Sequence, residues 1–533
     1  MQAEVLLKGG TIVTQERRQP RAGALAVVGG RVVATAQDAD GLDELAGPST
    51  RIVDTHGAAV VPGFVDAHVH FGHWAIAQQQ VDLDAAASLE DGLALLRHAA
   101  ESMPKNAWVQ GRGWDRNRWG RLPSRSELDG AVDGRAAALS SHDGHSLWLS
   151  TAALAAAGVT RNTPDPPGGV IQRDESGEPT GVLFENAQDL VRVHIPEPTE
   201  SDLVGALRDG LRRAARLGIT GIHNLEDART RRAFAALEAA GELSLRVYHG
   251  VSRGELAEAR ERGLATGSGT EWLRTGPVKL FADGALGSRT AWLLEPYVGH
   301  AEDGYRGVAT LSPPELEDAM RLAADADLDV AVHAIGDAAV RGVLDAFCRT
   351  RESYPSLRQR LLRVEHAQLV HPDDVPRFAA LGAIASMQPI HAVADWRVAD
   401  RYWGDRARYG YAWRSLLAAD ARLAFGTDAP VESIAPLHNL YAAVARREAA
   451  TGEPRGGWYP EQCLDLESAV RAYTYGSAAA ERALGRRGRL AAGMDADFVV
   501  LSPDPFGQPP EALCEARVAL TMVGGRFTHA EDV

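Results

Sequence analysis

Eight short apolar runs, each carrying a polar residue within its last three positions, recur through the middle of the chain, at 60–70, 219–225, 245–251, 278–283, 329–335, 363–369, 382–389 and 422–428. Between most of them lie Ala-, Leu-, Arg- and Glu-rich stretches, such as 203–217, 229–240, 314–327 and 337–350. Short apolar runs read as buried strands and the longer mixed stretches as helices. Strand alternating with helix over this distance implies parallel strands joined by right-handed crossovers. Eight such units predict an α/β fold of the (β/α)8, or TIM-barrel, type.

The two ends of the chain have a different rhythm. Short β-branched runs at 4–7, 11–13, 23–28, 31–35 and 51–54 are punctuated by Gly9-Gly10 and Gly29-Gly30, and similar runs return at 497–501, 516–523 and 526–529. The expectation is a composite β-sandwich domain from residues 1–61 and 486–533, attached to a barrel over 62–485. One barrel unit is abnormal. About 130 residues, 71–200, separate the first run from the second, far more than a crossover needs. They form a long insertion after the first barrel strand that carries Trp108, Trp114, Trp119 and Trp148. Barrel active sites lie on the face of the strand-to-helix loops, so the insertion is read either as the roof of a site or as a packing appendage with its own aromatic core.

Composition narrows the function classes. With 45% hydrophobic and 24% charged residues the 533-residue chain is ordinary globular material. A formal net charge of −15 argues against nucleic-acid and anionic-membrane partners and leaves a small-molecule substrate. The three cysteines, Cys348, Cys463 and Cys514, are far apart and odd in number, so they form neither a disulfide framework nor a zinc motif. The first residues lack the basic and then apolar pattern of a signal peptide, and no apolar stretch approaches the ~20 residues of a membrane helix. A cytoplasmic protein is expected, and a homo-oligomer is compatible with the sequence.

The chemistry gathers at the ends of the runs. Asp66-Ala67-His68-Val69-His70 closes the first of them. Side chains two apart on a strand share a face, so His68 and His70 present two imidazoles together. His333, His366 and Asp428 close three further runs. Converging on one barrel mouth, four imidazoles and a carboxylate make a metal site, because buried polar groups are costly unless paired or ligated. Lys279 lies inside the otherwise apolar Val278-Lys279-Leu280-Phe281. It is read either as paired with Asp283 or reaching the rim, or as a desolvated amine that takes up carbon dioxide to form a metal-bridging carbamate.

These residues stand in motifs that resemble the amidohydrolase superfamily. The resemblance is to amidohydrolase family three, the branch of N-substituted formamide deformylase-like enzymes. The motifs are Pro62-Gly63-Phe64-Val65-Asp66-Ala67-His68-Val69-His70, the segment 278–290, His333-Ala334-Ile335-Gly336-Asp337, Val364-Glu365-His366-Ala367 and 426–431. The resemblance implies a divalent metal, usually zinc, as one or two ions. It implies His68, His70 and Asp428 at one ion, His333 and His366 at the second, and Lys279 as a carboxylated bridge. Within the insertion, Trp114, Asp143, His145 and Glu185 stand in motifs like those of the same branch, and the first three are expected at the substrate, His145 being read equally as a hydrogen-bonded structural histidine. Arg289 is read either as holding a substrate carboxylate or carbonyl, or as a structural loop ion pair. The expected reaction is hydrolysis of a non-peptide carbon–nitrogen bond, with Asp428 as general base. Deamination, ester or carbamate cleavage on the same ligands remains an alternative, as does a non-catalytic scaffold.

Overall fold

The computed structural model describes residues 2–142 and 144–531. The chain divides into two compact units, Met1–Trp74 with Leu207–Val533, and Ala75–Ala206.

The first unit is built around eight parallel strands. In order around the sheet, barrel strands one to eight are Phe64–Val69, Ile219–Asn224, Arg246–Ser252, Leu273–Phe281, Val330–Ala334, Leu362–His366, Ile384–Met387 and Arg422–Phe425. Each overlaps one of the eight apolar runs, the fourth starting five residues ahead of its run. Residues such as Val330, Val332, Leu362 and Val364 are fully buried, as strands covered on both faces require. The eighth strand does not ladder with the first. The ring is drawn together just beyond it, where Asp428 N donates to His68 O (2.7 Å) and His70 N donates to Ala429 O (2.9 Å). This seam tolerates no side chain at Gly426. A Cβ there would lie 2.4 Å from His68 N and 2.7 Å from Asp66 Oδ1. We expect Gly426→Ala to destabilise the fold by about 1–3 kcal/mol, read as a lower denaturation midpoint; an unchanged midpoint would show that the seam relaxes freely.

A second sheet in this unit takes strands from both chain ends. Its order is Arg526–Ala530, Arg517–Val523, Phe498–Ser502, Ala59–Pro62, Val5–Val13, Arg21–Val28 and Arg31–Ala36, with Arg51–Asp54 beside Val5–Val13. It has its own apolar cluster, including Leu7, Leu25, Val60, Phe498 and Leu520. Two details depart from the sequence reading. The run 60–70 is two strands: Ala59–Pro62 pairs antiparallel with Phe498–Ser502, and the chain enters the barrel only after Gly63. The runs 4–7 and 11–13 are one strand, because Gly9-Gly10 makes an irregularity within it rather than a turn between two. Gly9 has φ +86° and a Cβ on Gly10 would meet Ala58 O at 2.2 Å, so glycine serves a close backbone approach.

The second unit contains a six-stranded mixed sheet in the order Gly169–Arg173, Pro179–Glu185, Ser146–Leu149, Ala137–Ser141, Val109–Trp114 and Val81–Asp82. Trp114, Trp119 and Trp148 pack on one another with centroids 6.0–6.5 Å apart. Among the described residues, no helix is long and apolar enough to cross a membrane.

Candidate metal centre

The seam between the first and eighth barrel strands places three donors together. His68 and His70 project from the end of strand one, and Asp428 follows strand eight. Asp428 Oδ1 is 3.4 Å from His68 Nε2 and 3.4 Å from His70 Nε2. These separations are long for hydrogen bonds. They match the edge of a tetrahedron: bonds of 2.0–2.2 Å to a zinc-like ion set its donors ~3.3–3.6 Å apart. His68 Nε2 is buried and has no hydrogen-bond partner. A buried nitrogen left without a partner, facing an anionic oxygen at ligand spacing, fits a cation. His366, His391 and Asp428 form a second group whose donor atoms all lie within 4.8 Å of one another.

The second nitrogens of these rings are engaged in ways that orient them. Glu365 Oε2 accepts from His68 Nδ1 at 2.6 Å, and Gln388 Oε1 accepts from His366 Nδ1 at 2.9 Å. Each bond leaves Nε2 as the lone-pair nitrogen, the arrangement in which imidazole ligates a metal. Glu365 is itself held by Arg363 Nε at 2.8 Å, and Arg363 reaches on to His223 Nδ1 at 2.9 Å. All four groups are buried inside the barrel. Burial would raise the Glu365 carboxyl, but Arg363 and His68 hold it well below the usual range. Burial, followed by the charge of Lys279, lowers His68 and His333 to about 4, so both rings are neutral at physiological pH. Burial would also raise Asp428, but the imidazoles of His68, His391 and His70 hold it well below the usual carboxylate range. For His391 burial works the other way, and its hydrogen bond to Asp428 prevails and raises it.

The backbone is bent to reach this arrangement. His366, Ala367 and Asp428 have φ of +71°, +44° and +60°. Non-glycine residues in the left-handed region are costly and cluster at functional sites. Asp66 anchors the seam. Its carboxylate accepts from His68 N (3.1 Å), Thr427 N (3.0 Å) and the Thr427 hydroxyl.

Lys279 is buried on strand four. Burial lowers its amine to about 8. It does not pair with Asp283, whose carboxylate instead accepts from Trp292 N, Ile335 N and Gly336 N. Its Nζ lies 5.1 Å from the Phe281 ring centroid, at the edge of a cavity of about 280 Å³ that Leu225, Val251, Phe281 and Leu311 also line. His333 has its ring 4.5 Å from that of His366, with Nε2 3.0 Å from Gly284 O. Among the described residues it joins neither donor group. The alternative of a structural ion pair for Arg289 finds no support: its exposed guanidinium lies 5.6 Å over the Tyr402 ring and makes no ion pair among the described residues.

The remaining expected residues belong to the second unit. Trp114 is buried there, its indole N–H donating to Leu139 O at 2.8 Å. His145 Nδ1 is 3.1 Å from Glu185 Oε2. Asp143 lies outside the described residues.

Sequence reasoning missed His391, Glu365, Arg363, Gln388 and Asn439 as parts of this centre. Glu365 was legible as a charge inside an apolar run, the signal that drew attention to Lys279. His391 had no such signal. It sits in the first turn of the helix Pro389–Trp403. Asn439 docks that turn, accepting from Ile390 N and donating to Gly426 O, each at 2.7 Å.

Comparison with known proteins gives the chain a family. The model of the family described as "Amidohydrolase family" matches residues 51–529. The chain is 34% identical to the YtcJ protein of Bacillus subtilis (strain 168), over 98% of this chain and 99% of that one. It is 28% identical to the N-substituted formamide deformylase of Arthrobacter pascens, over 98% and 97% of the two chains. Among solved structures, an uncharacterized metal-dependent hydrolase from Pyrococcus furiosus superposes with a TM-score of 0.76 at 29% identity, covering 94% of this chain and 99% of that one. Barrel, seam donors and sequence relatives lead to one assignment: the chain belongs to the amidohydrolase family.

Proposed function

We propose that the protein is a zinc-dependent hydrolase that cleaves a carbon–nitrogen bond, other than a peptide bond, in a small organic molecule. The observation that carries the reading is the seam: His68, His70 and Asp428 at ligand-edge spacing around a buried, unpartnered His68 Nε2. The carbon–nitrogen preference is supported by family membership and by the full-length likeness to a formamide deformylase. In this reading His68, His70 and Asp428 would hold one ion, His333 and His366 would hold a second, and Lys279, once carboxylated, would supply anionic oxygen to the pair. A bound divalent ion lowers the pKa of coordinated water towards about 7 and polarises a carbonyl.

The chain's own residues supply the rest. Asp428 is a carboxylate at neutral pH, so it accepts the proton that water releases as its oxygen bonds the substrate carbon. His391 Nε2, 3.3 Å from Asp428 Oδ2, donates to the carboxylate and holds it in place. The same proton passes to the leaving nitrogen as the carbon–nitrogen bond breaks. Glu365 and Gln388 keep the His68 and His366 rings in the ligating tautomer. Leu225, Val251, Phe281 and Leu311 receive an apolar substituent in the adjoining cavity. Arg289 holds a carboxylate or carbonyl of the substrate.

The reading is tested by metal analysis of the purified protein and by a hydrolysis screen of the metal-replete form. The panel comprises formamides, cyclic amides, N-acylated amino acids and esters. Bound zinc with turnover of an amide supports it. Metal-free active protein, or turnover of esters alone, would refute it.

Lys279 carries a separate prediction. A buried amine with no hydrogen bond or salt bridge among the described residues is a nucleophile for carbon dioxide, and the carbamate, formed with loss of a proton, is an anion with two oxygens. We expect Lys279→Ala to hold one ion fewer and to lose activity by about 100-fold, with partial recovery in buffer containing a short carboxylate. Full activity in Lys279→Ala would exclude the bridge.

A further inference from the structure

Beside the seam, a further set of donors stands at the barrel mouth, and two of its three members, His73 and Glu226, have no part in the scheme above. It consists of His70, His73 and Glu226, whose donor atoms all lie within 4.8 Å of one another. His70 and His73 are three apart where strand one runs into the helix Phe71–Ala77, so their rings stack on one side with centroids 6.1 Å apart. Glu226 follows strand two. It is buried and rigidly placed: Oε2 accepts from Gly72 N (2.8 Å) and Asn224 Nδ2 (3.1 Å), and Oε1 accepts from His73 N (2.8 Å). Oε1 is also 3.3 Å from His73 Nδ1, again the tetrahedral edge of a zinc-like ion, ~3.3–3.6 Å. The His73 side chain is 77% exposed, so the set opens to solvent.

We infer that His73, Glu226 and His70 form an outer site for a borderline divalent transition ion, filled only when metal is in excess. Two imidazoles and one carboxylate select Zn²⁺, Co²⁺ or Ni²⁺ over Mg²⁺ or Ca²⁺, which take oxygen ligands. Three protein donors, one on an exposed side chain, bind more weakly than the buried inner set. The functional consequence follows from His70. A neutral imidazole has a single lone pair, so His70 serves one ion at a time. An ion in the outer site therefore withdraws a ligand from the inner one, and excess metal inhibits the enzyme. This consequence rests on the reading of His70 as an inner-site ligand.

The test is zinc titration of the zinc-replete enzyme by equilibrium dialysis, with activity followed on the same samples, for wild type, His73→Ala and His73→Phe. His73→Phe keeps a ring against His70 without a donor nitrogen. The expected result is a weak class of one zinc per chain in the wild type that is lost in both variants. Inhibition by excess zinc, normalised to each protein's own activity at stoichiometric metal, should be lost with it, and Mg²⁺ should neither bind nor inhibit. Equal weak binding in wild type and variants, or no weak class in the wild type, would overturn the outer site. Absence of tightly held zinc would instead overturn the inner-site reading.

Discussion

Asp428→Asn should lower kcat by about 10³-fold while the protein remains folded. Among the described residues the carboxylate belongs to both the His68–His70 and the His366–His391 donor groups. Oδ1 lies 3.4 Å from His68 and from His70, and Oδ2 lies 3.3 Å from His391. Asparagine keeps the shape of the side chain but has neither the charge that attracts a cation nor a basic oxygen that accepts a proton. The backbone bond from residue 428 N to His68 O that helps close the ring survives the change. Both expectations are checked by steady-state kinetics and zinc content on the same preparation, with a melting curve to confirm folding. Activity within about tenfold of wild type would remove Asp428 from the role of base.

Glu365→Gln is the second large effect, and it should appear in stability as well as in metal affinity. Glu365 joins Arg363 to His68 with both partners fully buried. Glutamine leaves the Arg363 guanidinium without its countercharge in the barrel interior, and breaking a buried pair in this way costs about 3–5 kcal/mol. The amide also ceases to be a strong acceptor for His68 Nδ1–H, which weakens zinc binding by about 10- to 100-fold. Chemical denaturation of the metal-free protein isolates the first effect, and competition with a chelator isolates the second. A variant with unchanged stability and unchanged zinc affinity would show that the Arg363–Glu365–His68 chain is ornamental.

These two residues differ in how they could be read from the chain. Asp428 was visible because it ends an apolar run, as do His333 and His366. A polar residue there lies at the strand's carboxyl end, and in a barrel those ends share one mouth. The same logic located all eight barrel strands, since strands buried on both faces need continuous apolar side chains whatever they pack against. His68 and His70 were legible as a pair because strand periodicity alone puts them on one face.

What only the tertiary structure decided concerns pairings between segments far apart in the chain. That His391 reaches Asp428 depends on Asn439 docking a helix turn against Gly426, across about 50 residues of sequence in one direction and 13 in the other. No periodicity within Pro389–Trp403 marks that position. The role of Asp66, too, lay outside the pattern. It stands in the same motif as the two histidines, yet its carboxylate is turned to Thr427 and the His68 backbone and draws the two edge strands together. The approach of Glu226 to His73 and His70 is again a matter of how strands one and two pack. Local sequence determines which segments are strands and which polar groups are left at their ends. Closing the ring determines which of those groups meet, because hydrogen bonds and metal ligands act over only about 2–3.5 Å, and that register is a property of the packed barrel.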